Sequence, residues 1–261
     1  MGDYYATPEL YDLIYAPYRA DIPYVVRLAK EANGPVLEVA CGDGRLLVPM
    51  VEAGADADGL DLTPAMAEGA RAKLAAKGLR ANVVVGDMRD FTMPRRYRWI
   101  LIGFTSFYHN LTQDDQLATL RCCREHLEGG GSLTIVAFHP SVAVLAGLDG
   151  TPKVTMEHDR PDGRGRVRVT DATTSDTYAQ VTRVARTVEI LDPAGAVERT
   201  VESGFELRYV FGPEMELLFR LAGFARWEAC TPIARYDADG PLDPPEPPKA
   251  GAVLAWRAWK D

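Results

Sequence analysis

The chain has 261 residues, of which 47% are hydrophobic, and it carries a formal net charge of −8. This size and apolar fraction are sufficient for one large α/β domain with a full core. The acidic balance and the lack of any cluster of basic residues argue against nucleic acid as a partner, because phosphate binding needs clustered lysines and arginines. No stretch is apolar over the length of a bilayer and no signal peptide is recognisable, so we expect a cytoplasmic protein without a membrane partner.

Four cysteines are spread along the chain, at positions 41, 122, 123 and 230. They show neither the CxxC nor the Cys/His spacing that is typical of zinc sites, and they do not suggest a disulfide framework. We therefore expect reduced, mostly buried thiols and no metal site.

Five short apolar runs alternate with helical patterns in the first half of the chain, as in a parallel sheet with helices on both faces. The runs cover residues 35–39, 57–61, 81–86, 99–104 and 131–138. The helix after the second run is expected to have Thr63 as its N-cap and Pro64 at its first position. Another helix is expected to open at Thr112 and to end before the glycines 129–131.

The pattern changes between residues 139 and 211. Alternating, β-branched runs at 164–170, 180–191 and 197–211 are separated by the turn sequences PDGRG and DPAG, which predicts an antiparallel meander. A helix at 213–222 and strands at 225–233 and 251–259 follow, with a Pro-rich loop at 237–249 between the two strands.

The predicted fold is therefore α/β. It consists of a Rossmann-like, seven-stranded, mostly parallel sheet with helices on both faces, and an antiparallel β insertion after strand five. Residues 1–138 and 212–261 are expected to form the core, and residues 139–211 the insertion.

A glycine-rich turn follows the first run, in the stretch GPVLEVACGDGRLLVPM. Glycines there allow the backbone to approach a ligand, but Leu47 stands where the dinucleotide pattern GxGxxG has its third glycine. Glu38 lies inside the first strand, and Asp61 and Asp87 end the second and third. A carboxylate at Asp61 can accept both hydroxyls of a ribose, and one at Asp87 can accept from an adenine amine. These residues favour a nucleoside cofactor over a tight turn that binds nothing.

The sequence resembles the class I S-adenosylmethionine-dependent methyltransferases, whose first motif is an acidic residue, a spacer and a GxG turn. Residues 38–44, EVACGDG, match this motif. The chain is similar in particular to the small-molecule N-methyltransferases typified by glycine N-methyltransferase and the aminodeoxysugar N,N-dimethyltransferases. The shared features are the EVACG form, the run GDMRDF at 86–91, a strand-four motif similar to NSFxHL at 105–110, and the insertion after strand five.

This resemblance implies S-adenosyl-L-methionine as cofactor and S-adenosyl-L-homocysteine as product. The residues that it assigns to cofactor binding lie in the N-terminal segment and at the ends of the first four strands: Tyr11, Tyr18, Arg19, Glu38, Ala40, Gly42, Gly44, Asp61, Leu62, Gly86, Asp87, Met88 and Phe104. Among them, Glu38 would lie near the ammonium group of the methionine part and Arg19 would bind its carboxylate. Asp61 would bind the ribose, and Leu62 and Met88 would enclose the adenine.

Three side chains are candidates for catalysis. His109 follows strand four, where an imidazole can take a proton from an acceptor, although a structural histidine is the alternative. Tyr108 can orient an acceptor or fill the pocket wall. Tyr15 lies four residues after Tyr11 on one helical face, which fits either a lid or simple packing. His139, after strand five, is a second candidate base.

The arginines of RPDGRGRVRV, residues 160–169, are expected either to bind a phosphate of the substrate or to face solvent. The sequence as a whole predicts transfer of a methyl group to a nitrogen of a small-molecule metabolite, with secondary metabolism as a setting. A small-molecule O-methyltransferase and a non-catalytic cofactor-binding regulator are the alternatives. The strand edges of the meander offer a route to a homodimer.

Overall fold

The computed structural model describes residues 4–230 and 253–261. The predicted Pro-rich loop at 237–249 and the facing ends of the last two predicted strands lie outside these residues. The described part of the chain forms two sheets, one of seven strands and one of four.

The seven-stranded sheet contains the first five strands and the last two: β1 (Val36–Val39), β2 (Ala57–Asp61), β3 (Val83–Val85), β4 (Tyr97–Ile102), β5 (Leu127–Phe138), β10 (Arg226–Cys230) and β11 (Val253–Trp259). Their spatial order is β10-β11-β5-β4-β1-β2-β3. The pairs from β3 to β5 are parallel, and β11 is antiparallel to both of its neighbours. The predicted mostly parallel sheet is confirmed.

Seven α-helices are present in the described residues: α1 (Pro8–Tyr15), α2 (Ile22–Glu31), α3 (Leu47–Glu52), α4 (Pro64–Ala76), α5 (Gln113–His126), α6 (Val142–Ala146) and α7 (Gly212–Ala222). Buried side chains of α2, α3 and α4 pack on one face of the large sheet, and those of α5 and α7 pack on the other. None of these helices is long and apolar enough to cross a membrane. The four cysteines are free thiols, three of them buried.

The two predicted helix starts differ in how they are capped. The Thr112 hydroxyl accepts from the amide of Asp115 at 3.0 Å, as expected for an N-cap. Thr63 precedes α4 as predicted, but its side chain makes no capping bond. Its amide instead donates to Asp61 at 2.9 Å, so this turn is organised around the carboxylate.

The helix from Thr112 ends before the glycines 129–131 as predicted, but the strand predicted to begin at Gly131 begins four residues earlier, so all three glycines lie inside β5. β5 begins at Leu127, immediately after α5, and its register against β4 shifts between Tyr97 and Trp99. A Cβ on Gly131 would lie 3.1 Å from three backbone oxygens. Close backbone approach across this irregular pairing therefore explains the glycine.

The second sheet is an antiparallel meander in chain order, composed of β6 (Lys153–Asp159), β7 (Arg166–Asp176), β8 (Val181–Leu191) and β9 (Val197–Arg208). The last three strands were predicted, whereas β6 and the short helix α6 were not. β6 is polar and largely exposed, so it lacks the alternation of buried and exposed residues on which the prediction of strands depends.

Candidate functional site

A cavity of about 680 Å³ opens at the carboxyl ends of β1 to β5. This volume lies within the range of roughly 300 to 1,000 Å³ that is usual for small-molecule sites. Its walls have three sources: strand ends (Ala40, Asp61, Gly86, Phe104, Phe138), the N-terminal segment (Tyr5, Tyr11, Tyr15) and the insertion sheet (Thr173, Thr182, Arg186, Phe205, Leu207). The parallel sheet thus delivers its strand ends to the place where open α/β sheets bind ligands.

The turn after β1 has left-handed backbone at Ala40, Gly42 and Gly44, with φ of 58°, 56° and 88°. A Cβ on Gly42 would meet no atom within 4 Å, so backbone conformation and open space account for this glycine. A Cβ on Gly44 would lie 3.0 Å from Val48 and 3.3 Å from Ala70. Gly44 therefore allows α4 to pack against the turn, and it lines only a smaller pocket of about 180 Å³.

Asp61 connects the first two strand ends. Its Oδ2 accepts from the amide of Gly42 at 2.8 Å, and its Oδ1 accepts from the amide of Thr63 at 2.9 Å. Burial raises the pKa of this carboxyl, and the hydrogen bonds from the two backbone amides oppose the rise. Each oxygen keeps a lone pair, so the carboxylate can still accept hydrogen bonds from a ligand in the cavity.

Asp87 lines the cavity after β3 and is already paired. Its oxygens accept from the guanidinium of Arg89 at 2.6 to 3.1 Å and from the Arg89 amide at 2.9 Å. These hydrogen bonds lower the pKa of Asp87. Arg89 also donates to Asp115 at the start of α5, which fixes the arginine on the outer side of the site.

A buried charge cluster lies below the glycine turn. Glu38 is 3% exposed and its Oε2 has no hydrogen-bond partner. Burial raises the pKa of Glu38 well above its ordinary value, and the positive charge of Arg45 counteracts this only in part. Arg45 is held by two hydrogen bonds to Asp21, at 2.7 and 2.8 Å, and its guanidinium lies 4.8 Å from the centre of the Phe104 ring.

The end of β4 is strained. Phe104 and Thr105 both have positive φ, 52° and 69°, although neither is glycine. Such a conformation costs on the order of 1 to 3 kcal/mol per residue and is maintained only where the surroundings impose it. Here the Phe104 ring contacts the rings of Tyr15 and Tyr18, with centroids 5.0 and 4.9 Å apart.

Helix α1 brings tyrosines to the cavity. The rings of Tyr11 and Tyr15 are 4.7 Å apart, and burial raises the pKa of Tyr11. The Tyr15 hydroxyl accepts from Nη1 of Arg186 at 2.9 Å, across to the insertion sheet. Tyr18 and the exposed Arg19 lie beyond α1 and line only the smaller pocket.

The two candidate side chains after β4 differ in exposure: Tyr108 is part of the interior, and His109 is accessible from the cavity. Tyr108 is buried and its hydroxyl donates to the carbonyl oxygen of Phe138 at 2.7 Å, while burial raises its pKa. His109 is exposed at the cavity rim, with its Nε2 3.0 Å from the hydroxyl of Tyr5. His139 lies outside the main cavity, in a separate pocket beside Phe211, and burial lowers its pKa.

Three of the four arginines of RPDGRGRVRV, namely Arg160, Arg166 and Arg168, form ion pairs with acidic neighbours. Arg160 pairs with Asp162 and Glu198, and Arg168 pairs with Glu157. None of the four arginines of RPDGRGRVRV lines the cavity. The cation that the insertion brings to the cavity is instead Arg186.

Twelve of the sixteen predicted site residues line the main cavity: Tyr11, Tyr15, Ala40, Gly42, Asp61, Leu62, Gly86, Asp87, Met88, Phe104, Tyr108 and His109. Tyr18, Arg19, Glu38 and Gly44 do not. The sequence analysis did not identify Tyr5, Arg45 and Arg186. Arg45 directly follows the GxG turn and could have been found there, whereas Tyr5 and Arg186 carry no local signal.

Comparison with known proteins agrees with this geometry. A family model described as a methyltransferase domain matches residues 36–131. The chain is 30% identical over 196 residues to dTDP-3-amino-3,4,6-trideoxy-alpha-D-glucopyranose N,N-dimethyltransferase of Streptomyces venezuelae, an alignment that covers 72% of this chain and 78% of the relative.

Solved structures show the same fold. DesVI from Streptomyces venezuelae has a TM-score of 0.76 at 24% identity, covering 97% of this chain and 98% of DesVI. CalS10, described as an amino pentose methyltransferase from Micromonospora echinaspora with S-adenosylmethionine bound, has a TM-score of 0.69 at 21% identity, covering 93% and 94%. The predicted insertion after strand five is therefore a feature of related folds.

Replacement of Glu38 by glutamine should stabilise the free protein in a pH-dependent manner. Because the folded-state pKa is raised, the folded protein binds this proton more tightly than the unfolded chain, and stability falls as pH increases above the ordinary glutamate pKa. In urea unfolding, Glu38→Gln should match the wild type near pH 4 and gain about 1 to 3 kcal/mol at pH 7.5, the cost of an unpaired buried group. Glu31→Gln, on the exposed face of α2, is the control, and an equal difference at both pH values would contradict the assignment.

Proposed function

The chain belongs to the class I S-adenosylmethionine-dependent methyltransferases, among the small-molecule N-methyltransferases, and on this premise we propose that it methylates the amino group of an aminodeoxysugar or a closely similar amine. The observation that carries the proposal is the continuity of the cavity. It joins the strand-end carboxylates Asp61 and Asp87 to the inner face of the insertion sheet without an intervening wall. Donor and acceptor can therefore be held side by side.

The residues at the strand ends fit the cofactor chemically. Bound there, S-adenosylmethionine supplies an electrophilic methyl group on a positively charged sulfur. The Oε2 of Glu38, buried and without a partner, provides an acceptor for the ammonium group of the methionine part. The free lone pairs of Asp61 provide acceptors for the two ribose hydroxyls.

The adenine end of the site is proposed to lie between Leu62 and Met88. Leu62 is 63% exposed, which is unusual for a leucine on a cavity wall, and a bound aromatic ring would cover it. Asp87, which follows Gly86 in the chain, would accept a hydrogen bond from the adenine amine while it remains paired with Arg89. For the methionine carboxylate we assign Arg45, whose charge acts on Glu38, in place of the exposed Arg19.

Residues 1–138 and 212–261 would then bind the cofactor, and residues 139–211 would shape the acceptor site. Phe205, Leu207, Thr173 and Thr182 offer apolar surface and hydroxyl groups at the acceptor end. A ring with hydroxyl groups and apolar edges is complementary to such a surface. The Streptomyces venezuelae relative is named for an aminodeoxysugar acceptor, and CalS10 is described as an amino pentose methyltransferase.

The catalytic candidates take different roles in this proposal. The Tyr108 hydroxyl is bonded to Phe138 and the Tyr15 hydroxyl to Arg186. Tyr108 therefore positions the cavity wall after β4, and Tyr15 positions α1, which forms the lid of the cavity. His109 is the group at the rim whose imidazole can accept a proton from the acceptor. An oxygen acceptor would need this base more strongly than an amine does, and a regulator would need no base at all.

A direct test combines binding and transfer. S-adenosylhomocysteine should raise the melting temperature, because a ligand that binds only the folded state stabilises it by mass action. Transfer of a labelled methyl group should then be measured to matched amines, aminosugars and phenols. Labelling of amines supports the proposal, labelling of phenols alone favours O-methylation, and cofactor binding without any transfer favours a regulator.

Asp61→Asn should weaken binding of S-adenosylhomocysteine while the protein stays folded. Loss of the charge-assisted hydrogen bonds to the ribose should cost about 2 to 4 kcal/mol of binding free energy in calorimetry. Asp58→Asn is the matched control on the same strand, because Asp58 is buried and accepts from Arg95 and Tyr97. It should lower stability without changing the affinity, and an unchanged affinity in Asp61→Asn would exclude the proposed ribose site.

We also propose a homodimer through β6, one of the two edge strands of the insertion sheet. Antiparallel pairing of two β6 strands about Met156 would set Lys153 opposite Asp159 of the second copy, twice. Lys153→Glu and Asp159→Lys should each give monomers in light scattering, and the double variant should restore the dimer. A wild-type monomer, or single variants that remain dimeric, would refute this interface.

A further inference from the structure

Tyr5 and His109 form a pair that the sequence alone does not indicate. They are 104 residues apart, yet the Tyr5 hydroxyl lies 3.0 Å from Nε2 of His109. Their rings meet edge to face at 5.5 Å and 82°. Both side chains line the main cavity.

The position of Tyr5 is fixed through α1. The rings of Tyr5, Tyr11 and Tyr15 follow one another, with centroids 6.3 and 4.7 Å apart. The helix itself is anchored where Tyr15 meets Arg186 and where the Ile14 carbonyl meets His158. Tyr5 therefore reaches His109 only when the N-terminal segment is docked over the cavity.

Amine methylation requires removal of a proton. An amino group is largely protonated near neutral pH and has no free lone pair until the proton leaves. In the observed arrangement Nε2 of His109 is already engaged by the Tyr5 hydroxyl. A proton from the acceptor therefore reaches the imidazole through the phenol oxygen.

We propose that Tyr5 relays the acceptor's proton to His109, an inference that rests on the proposed function. The acceptor N–H proton passes to the Tyr5 oxygen while the Tyr5 proton passes to Nε2, which leaves the phenol neutral and the imidazole protonated. The freed amine then forms its bond to the methyl carbon as the carbon–sulfur bond breaks. The sulfur leaves as a neutral thioether, so charge and atoms balance.

The surroundings complete the route. His109 is exposed, so the imidazolium can return the proton to solvent. Among the described residues that line the cavity, the charged side chains are Arg186 from β8 and Asp61 and Asp87 from the core, and the other titratable groups besides His109 are tyrosines. The relay also requires that neutral His109 carry its proton on Nδ1, because Nε2 must accept.

This tautomer can be read by nitrogen NMR of the S-adenosylhomocysteine complex. His126 is an internal reference, since its Nδ1 faces the Cys122 carbonyl oxygen and its Nε2 accepts from the Met93 amide. Neutral His109 should show the same Nδ1–H pattern as His126. Tyr5→Phe should shift His109 toward the Nε2–H form and leave the other three histidines unchanged. The control is Tyr178→Phe, at a fully exposed position, which should leave the signals of all four histidines unchanged.

Kinetics provide the second readout. With an amine that accepts label, Tyr5→Phe should lower kcat near neutral pH by roughly tenfold to a hundredfold, with unchanged affinity for S-adenosylhomocysteine. It should also move the rise of kcat to higher pH, where the amine loses its proton to solvent without the relay. The double variant Tyr5→Phe/His109→Ala should be no slower than His109→Ala, because both residues act in one relay.

An Nε2–H tautomer in the wild type, a His109 signal unaffected by Tyr5→Phe, or additive losses in the double variant would overturn the relay. Failure of the proposed function gives a different result: the wild type would then not bind the cofactor, or would not transfer a methyl group to amines.

Discussion

A buried guanidinium joins the insertion sheet to α1, and the shape of the cavity depends on it. Arg186 on β8 is 7% exposed, donates twice to Asp171 on β7 and once to the hydroxyl of Tyr15 on α1. A buried arginine needs this full set of acceptors, because an unpaired charge in the interior is costly. The requirement fixes the position of α1 relative to the insertion sheet. It thereby fixes the part of the cavity wall that Tyr11 and Tyr15 of α1 form.

The strand ends have their own electrostatic constraint. Glu38, Asp61 and Asp43 are all buried near the glycine turn, and Arg45 and Lys73 supply the positive charge around them. Burial is the main reason that the pKa of Asp43 rises to about 6, despite its hydrogen bond to Lys73. Concentrated, partly uncompensated carboxylates stabilise a cationic ligand more than a neutral one. This property suits a donor whose reactive sulfur and ammonium group are both positive.

The sequence predicted those parts of the fold that depend on local pattern. The parallel strands were predicted from apolar runs. The Thr112 cap and the glycine turn were predicted from residue types and spacings that act over a few residues. Strand β6 could not be predicted, because it is held by pairing with β7 and not by burial of its own side chains. Most of the predicted site residues likewise line the main cavity, since they follow strand ends in sequence. Tyr5 and Arg186 were not, because their positions depend on contacts over 104 and 171 residues of chain.

The inner face of the insertion sheet has two parts, one that packs on α1 and one that lines the cavity. Residues that share this face alternate along each strand, and cross-strand pairing places them in rows. The rows at one end contain Val167, Val169, Val188 and Ile190, which pack on Leu10 and Ile14 of α1. The rows at the other end contain Thr173, Thr182, Phe205 and Leu207, which line the cavity. Phe205 also packs against the cluster around α1, whereas Thr173, Thr182 and Leu207 lie outside it. Substitutions at these three positions therefore leave the packing of α1 intact, so the proposed acceptor surface can change while α1 and the proposed cofactor site stay in place.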